Sequence, residues 1–322
     1  MQSTDLRKIL SKEELQGILT RSDLAGFRAF AVNWGMIAAS FFLMAKFPNP
    51  LTVVGGIIIL AGRQLGLAIL MHDCSHYSLF RTKWLNQFVG QWLCAAPVFA
   101  HLDSYRKYHL DHHRLAGTKE DPDLPNYQNY PISRQSFKRK VIRDLFGVTG
   151  LKNLAILLAM NSGLIPYSLA YKNAKETKLS AKSVLENVVT KLFPVILFQF
   201  ALFFILYKLG HAWIFGVWMF TYLTAYMLVL RIRNIAEHAA VVNPSSPNPL
   251  LHTRTTYASP IARLTVAPNY VNYHLEHHLL PAVSPHHLSR FHQMLKEKGV
   301  LPAGSIFQSY KDVIKHLTRS ND

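Results

Sequence analysis

Long apolar stretches alternate with polar, histidine-rich stretches along this chain. The hydrocarbon core of a bilayer is about 30 Å thick, which requires about 20 apolar residues in a helix. Four segments reach or approach that length, and short polar breaks join them into two close pairs. The break Pro48-Asn49-Pro50 turns the chain straight back. We therefore predict four transmembrane helices in two hairpins, over residues 27–47, 51–71, 188–208 and 212–230.

Two other apolar segments are less regular. Polar and helix-breaking residues at 161–166 interrupt the segment 151–171, which we predict to be interfacial or re-entrant rather than spanning. The segment 86–102 is short and contains a proline, and we predict that it does not cross. The resulting division is an N-terminal segment, residues 1–26, followed by a single membrane domain, residues 27–322.

Charge supports a membrane setting and orients the chain in it. Only 16% of the 322 residues are charged, against about 25% in ordinary soluble domains, and the formal net charge is +17. The basic residues crowd segments 72–187 and 231–322 and are absent from the turn at 48–50. The positive-inside rule thus predicts that both termini and these two segments are cytoplasmic, at the inner membrane if the protein is bacterial. Basic residues scattered beside spans, with no zinc-finger, homeodomain or RNP pattern, argue against a nucleic-acid partner.

Arg63 interrupts the second predicted span. A charge in the hydrocarbon region is costly, so such a residue usually faces protein, water or a polar ligand group. The alternative is a long side chain that snorkels from a slightly shifted helix end. Both interpretations fit the sequence.

The histidines carry the strongest chemical signal. Eight of the 16 fall into three clusters, which are His72 and His76; His109, His112 and His113; and His274, His277 and His278. Residues i, i+3 and i+4 share one face of a helix, so each cluster can direct its imidazoles at one point. Eight imidazoles exceed the needs of one four-coordinate zinc ion, and neither a cysteine pair nor HExxH is present. We predict a dinuclear metal site, although spacing alone does not distinguish iron, copper, nickel and zinc.

These clusters resemble the three histidine boxes of the membrane fatty acid desaturases and related hydroxylases, H-x3-4-H, H-x2-3-HH and (H/Q)-x2-3-HH. The resemblance extends to Arg106-Lys107-Tyr108, Asp121-Pro122-Asp123 and Leu279-Leu280-Pro281, and it covers roughly residues 51–294. It implies an all-α integral membrane fold of about four spans, with a cytoplasmic helical cap that holds two iron ions. The eight box histidines would be the iron ligands and the catalytic centre.

The resemblance also implies a ninth ligand near the end of the last span. Asn234 and His238 lie one helical turn apart there. We favour His238 as the metal ligand and Asn234 as its polar neighbour, while an Asn234-held water is the alternative. Acidic residues that flank ligands are candidates for orienting imidazole N–H groups; they are Asp73, Asp111, Glu237 and Glu276.

The other histidines show no paired spacing that favours a metal. His286 and His287 follow Ser284-Pro285, a sequence typical of a capped helix start, and we interpret them as local structure. The remaining unpaired histidines are His101, His211, His252, His292 and His316.

The implied chemistry is oxygen-dependent oxidation of an unactivated hydrocarbon chain, which the iron cofactor supplies. Our first interpretation is a lipid or fatty acyl desaturase, and the alternative is a hydroxylase acting on a fatty acyl, sphingoid, terpenoid or carotenoid chain. The sequence shows neither a His-Pro-Gly-Gly haem motif nor a flavin fingerprint, so electrons should come from a separate ferredoxin or cytochrome b5. A metal transporter is disfavoured because the spans contain few polar residues that could pass ions. The ordered spacing disfavours a merely structural histidine-rich protein.

Overall fold

The computed structural model describes residues 3–168 and 180–319, and these residues form a predominantly helical structure. Before residue 169 the helices are α1 (Ser3–Ile9), α2 (Lys12–Leu19), α3 (Asp23–Lys46), α4 (Pro50–Ser75), α5 (Lys83–Phe88), α6 (Leu102–Leu115), α7 (Arg134–Leu145) and α8 (Val148–Ser162). After residue 179 they are α9 (Ala181–Asn187), α10 (Phe193–Lys208), α11 (Ala212–Leu223), α12 (Ala225–His238), α13 (Pro249–His252), α14 (Pro260–Leu264), α15 (His274–Leu279), α16 (Leu288–Glu297) and α17 (Tyr310–Leu317).

Four helices in the described residues are long and apolar enough to cross a membrane. They are α3, α4, the continuous helix Ala181–Lys208 and the continuous helix Ala212–His238. Their 24 to 28 residues correspond to about 36–42 Å at 1.5 Å per residue. The prediction of four spans in two hairpins is confirmed. The last helix continues past its predicted end at Leu230, and its polar final turns reach the histidine clusters.

Local capping explains the sharp turn of the first hairpin. The Asn49 side chain accepts hydrogen bonds from the backbone N–H groups of Leu51 (3.0 Å) and Thr52 (3.1 Å). Pro50 follows at the first helical position, where its missing N–H is not needed. The two spans are therefore joined by only three residues, 47–49.

The four spans pack unequally, with α4 at the centre. In its most apolar window 61% of α4 is buried, against 22% for α3 and 11% for the helix that contains α10. The outer helices expose large apolar side chains, for example Phe42 and Phe200. On the inner side, Trp218 of α11 and Leu60 of α4 are fully buried in one core. The exposed apolar faces suit contact with lipid.

Arg63 faces protein, which decides between the two interpretations of this residue. The side chain is only 3% exposed. Its guanidinium donates to the carbonyl oxygens of Arg263 (3.0 Å) and Leu264 (3.1 Å) in α14, and to Asn33 Oδ1 (3.3 Å). The close approach of α14 requires a glycine at position 62, because a Cβ there would lie 1.9 Å from the Leu264 oxygen.

The two irregular apolar segments are helical but are not among the four long helices. In the segment 151–171, α8 ends at Ser162 with Gly163 in the left-handed conformation (φ 81°), and residues 169–171 lie outside the described residues. Its 15 residues give about 22 Å, less than the hydrocarbon thickness, and its interfacial location stays a prediction. In the segment 86–102, α5 continues through a π-helix at Val89–Ala95 and a 3-10 turn at Ala96–Val98.

The helices after α12 form a cap over the ends of the spans. Two short parallel strand pairs stabilise this region. β1 (Ile132–Ser133), which precedes α7, pairs with β4 (Thr318–Arg319), and β2 (Thr255–Thr256) pairs with β3 (Ile306–Phe307). α1 and α2 share a hydrophobic core with α15 and α16. Ser284 precedes the helical segment and Pro285 opens it, as predicted. The Ser284 hydroxyl makes no capping bond, however, because it donates to the Ser78 carbonyl, and a 3-10 turn, Pro285–His287, leads into α16.

Candidate metal centre

Four helix ends converge to bring the box histidines together. The first box lies at the C-terminal end of α4, and the second occupies the last turns of α6. His238 is the last residue of α12, and the third box begins at the first residue of α15 and occupies most of this helix. Helical spacing puts the imidazoles of each box on one face, and tertiary packing of the four helices then places all nine in one buried volume.

The nine imidazoles divide into two groups, in each of which the possible ligand atoms all lie within 4.8 Å of one another. One group, the five-histidine cluster, consists of His72, His76, His109, His113 and His277. The other, the four-histidine cluster, consists of His112, His238, His274 and His278. The two clusters adjoin, since the rings of His113 and His278 have centroids 4.2 Å apart.

The ring nitrogens inside the clusters fit metal ions. His113 Nε2 lies 3.0 Å from Nε2 of both His109 and His277, and His274 Nε2 lies 2.8 Å from His238 Nε2. In addition, the Nε2 atoms of His72, His76 and His278 are buried with no hydrogen-bond partner among the described residues. Buried polar atoms are normally paired, so convergent, unpaired lone pairs indicate a ligand. The donor set therefore suits two transition-metal ions, one per cluster.

Carboxylates behind the imidazoles contact Nδ1 of three of these rings. Asp73 lies 2.9 Å from His72 Nδ1, and Asp121 lies 2.7 Å from His112 Nδ1. The Glu237 carboxylate lies 3.4 Å from His274 Nδ1 and is also paired with Arg233. An N–H donated outward leaves Nε2 with its lone pair directed into the cluster, which is the arrangement that metal-binding histidines show.

Two of the four acids predicted to orient ligands have other partners. Asp111 is exposed and bonds Arg114 at 2.7 Å, because its position on α6 is on the solvent side. Glu276 is fully buried but turns away from the clusters, where it contacts His292 Nδ1 (2.6 Å) and the Thr255 hydroxyl (2.5 Å). The expectation is therefore wrong for these two residues: Glu276 anchors α15 to the rest of the cap.

The alternative residue Asn234 lies beside the site. Its Oδ1 accepts from Arg233 at 3.0 Å, and its side chain lines a small pocket bordered by His238 and His274. His238 belongs to the four-histidine cluster, and its Nδ1 donates to the His252 carbonyl at 3.1 Å. These placements favour His238 as the ligand, with Asn234 as a polar neighbour.

Sequence reasoning missed three residues that hold the site. Asp121 orients His112 and accepts a hydrogen bond from the Tyr127 hydroxyl, and the His252 backbone orients His238. The run Asp121-Pro122-Asp123 was the only signal for Asp121. His292 looks unpaired in the sequence, yet it bridges Glu276 and the Tyr257 hydroxyl. Two other unpaired histidines serve locally, since His101 caps α6 and His316 donates to a backbone carbonyl.

Burial favours the neutral form of the ligands outside the spans. It lowers the pKa of His109, His113 and His277 well below the ordinary value, and neighbouring imidazoles lower it further. His112 is the exception: burial opposes its charged form, yet the carboxylates of Asp123 and Asp121 together raise its pKa. Because a metal binds the neutral imidazole, burial prepares most of these rings for coordination.

An apolar cavity of about 180 Å³ adjoins the clusters. Its inner wall is formed by side chains of α4, α8 and α11, including Leu65, Ala68, Met160 and Tyr222. Its polar end is shared with the small pocket beside the four-histidine cluster; the shared residues are Tyr105, Asp123, Asn126, Arg233 and Asn234. The Tyr105 ring also stacks on His109 at 5.2 Å. A hydrocarbon chain in this cavity would point toward the small pocket that the histidines border.

Four long apolar helices and a buried double histidine cluster that could hold metal ions define a class of helical membrane proteins with a histidine-rich site. Comparison with known families gives a more specific assignment, because the fatty acid desaturase family model matches residues 48–309. The chain belongs to the fatty acid desaturase family.

Curated relatives are distant. The chain is 25% identical over 236 residues to dihydrorhizobitoxine desaturase of Bradyrhizobium elkanii (70% of this chain, 63% of the relative). It is 25% identical over 245 residues to the sn-1 oleoyl-lipid 12-desaturase of Synechocystis sp. (72% and 65%). It is 24% identical over 144 residues to the sn-1 acyl-lipid omega-3 desaturase (ferredoxin) of Nostoc sp. (44% and 37%). The matches thus span less than two thirds of the length of these relatives.

Proposed function

We propose that this protein is an oxygen-dependent desaturase that introduces a C=C bond into the hydrocarbon chain of a lipid or fatty acyl substrate. The observation that carries the proposal is the apolar cavity whose polar end is shared with the small pocket beside the histidine clusters. Family membership and the lipid desaturases among the relatives support it. The alternative within the same superfamily is hydroxylation of a comparable chain.

We propose iron for both clusters, with the nine histidines as ligands. Bound iron would supply oxygen activation for hydrogen abstraction from an unactivated C–H bond. The task of the protein is to hold the substrate chain in place and exclude water from it. Leu65 and Ala68 of α4 form the apolar wall, and Tyr222 of α11 and Met160 of α8 close it from the other side. Arg233 and Asn234 make its polar end.

We propose that electrons enter beside the five-histidine cluster. An open cleft there is bordered by His76 and by three basic side chains, Arg21, Lys83 and Arg106. Trp84 beside them is 64% exposed. Asp103, the acidic residue in this lining, is paired with Arg106. A basic cleft with an exposed aromatic ring at its edge suits an acidic donor such as a ferredoxin or cytochrome b5, and the name of the Nostoc relative includes ferredoxin.

We further propose that the clusters, the cap and both termini face the cytoplasm, with the N-terminal segment 1–26 and the membrane domain 27–322 as the two parts of the chain. The basic segments beside the spans support this orientation. Cysteines introduced as Ser180→Cys and Val300→Cys should then be labelled from the same side, since native Cys74 and Cys94 are buried. Labelling from opposite sides would contradict the topology.

The reaction is tested by expression with a supplied reductase, followed by mass spectrometry of total lipids. A desaturase yields an acyl product two mass units lighter than its precursor, with the change dependent on oxygen. His277→Ala removes an imidazole of the five-histidine cluster, so product should fall to background. His211→Ala, in the turn between the last two spans, is the matched control and should keep most of the activity. A hydroxylated product would establish the alternative, and oxygen-independent turnover would contradict both.

A further inference from the structure

A second large cavity lies on the other side of α4 from the one just described. It occupies about 790 Å³ between the start of α3, the middle of α4 and the segment that contains α14. Arg63 and Leu70 line it, whereas Leu65 and Ala68 line the cavity at the clusters. At 100° per residue these pairs point to nearly opposite faces of the helix. We call this cavity the α3–α14 groove, and it shares no lining residue with the cavity at the clusters.

The groove combines apolar walls with a strongly basic lining. Along α3 it extends from Ser22 to Met36, which is about 21 Å of helix. Leu24, Val32 and Met36 contribute apolar surface on this wall. The charged residues that line it are Arg28, Arg63 and Arg263, and none of its described lining residues is acidic.

The arginines that line the groove retain positive charge or an N–H donor without a partner among the described residues. Neither Arg28 nor Arg263 forms an ion pair with any described residue, and both side chains are exposed. Arg63 Nη2 donates to two carbonyl oxygens of α14 and Nη1 donates to Asn33 of α3, but its Nε is buried with no hydrogen-bond partner among the described residues. A buried donor of this kind is normally satisfied. The groove therefore contains a buried N–H donor, Arg63 Nε, that lacks a hydrogen-bond acceptor.

We propose that the α3–α14 groove binds a glycerophospholipid, with its phosphate between Arg28 and Arg263. The buried Nε of Arg63 donates to an oxygen of the lipid, and the acyl chains lie along Val32 and Met36. Three positive charges in a lining that includes no described acidic residue provide the complementarity for the phosphate. The apolar wall along α3 distinguishes a lipid from free phosphate. This site is separate from the proposed reaction, and it does not depend on the metal.

The test is native mass spectrometry of the full-length protein in detergent, titrated with phosphatidylglycerol. The double variant Arg28→Gln/Arg263→Gln leaves the bonds of Arg63 intact and should weaken binding about tenfold or more, as expected for the loss of charge-assisted hydrogen bonds. The matched control is Arg139→Gln/Arg143→Gln, which removes two exposed arginines from α7 and should leave binding unchanged.

Two further probes test the wild-type protein without any substitution. Diacylglycerol with the same acyl chains lacks the phosphate and should bind about tenfold more weakly or not at all. Inorganic phosphate should not displace phosphatidylglycerol. Equal binding of diacylglycerol, equal losses in both double variants, or displacement by inorganic phosphate would each overturn the proposal.

Discussion

Replacing Asp121 by Asn tests whether the carboxylates behind the ligands tune the metal centre. Asp121 is buried, and its Oδ1 contacts His112 Nδ1 at 2.7 Å and the Asp123 N–H at 2.8 Å, while Oδ2 accepts from the Tyr127 hydroxyl. Asn keeps the shape but loses the charge, and its amide nitrogen cannot accept the bond that one oxygen accepts now. Loss of such a partner typically weakens metal binding about 10- to 100-fold, or about 1.4–2.7 kcal/mol.

The assay is competition for Fe(II) between the purified protein and a chelator, with the number of bound ions counted at each step. Because His112 belongs to the four-histidine cluster, the affinity for one of the two ions should fall, and the affinity for the other should stay unchanged. Asp111→Asn is the matched control, since Asp111 is adjacent to His112 in sequence but, among the described residues, its side chain bonds Arg114 at the surface and no ligand. Equal affinities for wild type and Asp121→Asn, or an equal loss in Asp111→Asn, would refute the reasoning.

Three further predictions concern packing, electron delivery and metal loading. Gly62→Ala should destabilise the protein by about 1–3 kcal/mol in chemical unfolding, because its Cβ would collide with the Leu264 carbonyl; Gly55→Ala, with open space around it, should be neutral or stabilising. Lys83→Gln should raise the KM for reduced ferredoxin about threefold at low salt and less at high salt, and an unchanged KM would contradict the docking cleft. Removing the metal with a chelator should lower the melting temperature of the wild type; His277→Ala should show a smaller shift, and equal shifts would argue against metal at the five-histidine cluster.

Features encoded by local sequence were predictable. The spans follow from runs of apolar residues, and the boxes follow from i, i+3 and i+4 spacing, because both depend on neighbours within a few turns. The sequence could also place His238 near the site, since it follows the last span directly.

Features set by packing between distant segments were not predictable from spacing. The flanking acids show this most clearly: Asp73 and Asp111 look equivalent beside their boxes, but the orientation of α6 turns Asp111 to solvent. Asp121 reaches His112 only because a turn after α6 folds back. The hydrogen bonding of Arg63 likewise depends on a residue 200 positions away in the chain.

The division of the ligands between the clusters has a consequence for how the protein is made. His112 and His113 are neighbours in the chain but belong to different clusters, and the same is true of His277 and His278. Neither cluster is complete until α15 has been synthesised, which comes after all four long helices. A chain that emerges from its N-terminus must therefore insert its membrane helices before it can close either cluster. Any metal binding that needs a complete cluster therefore follows the synthesis of all four long helices, and a chain truncated before His274 lacks one histidine of the five-histidine cluster and two of the four-histidine cluster.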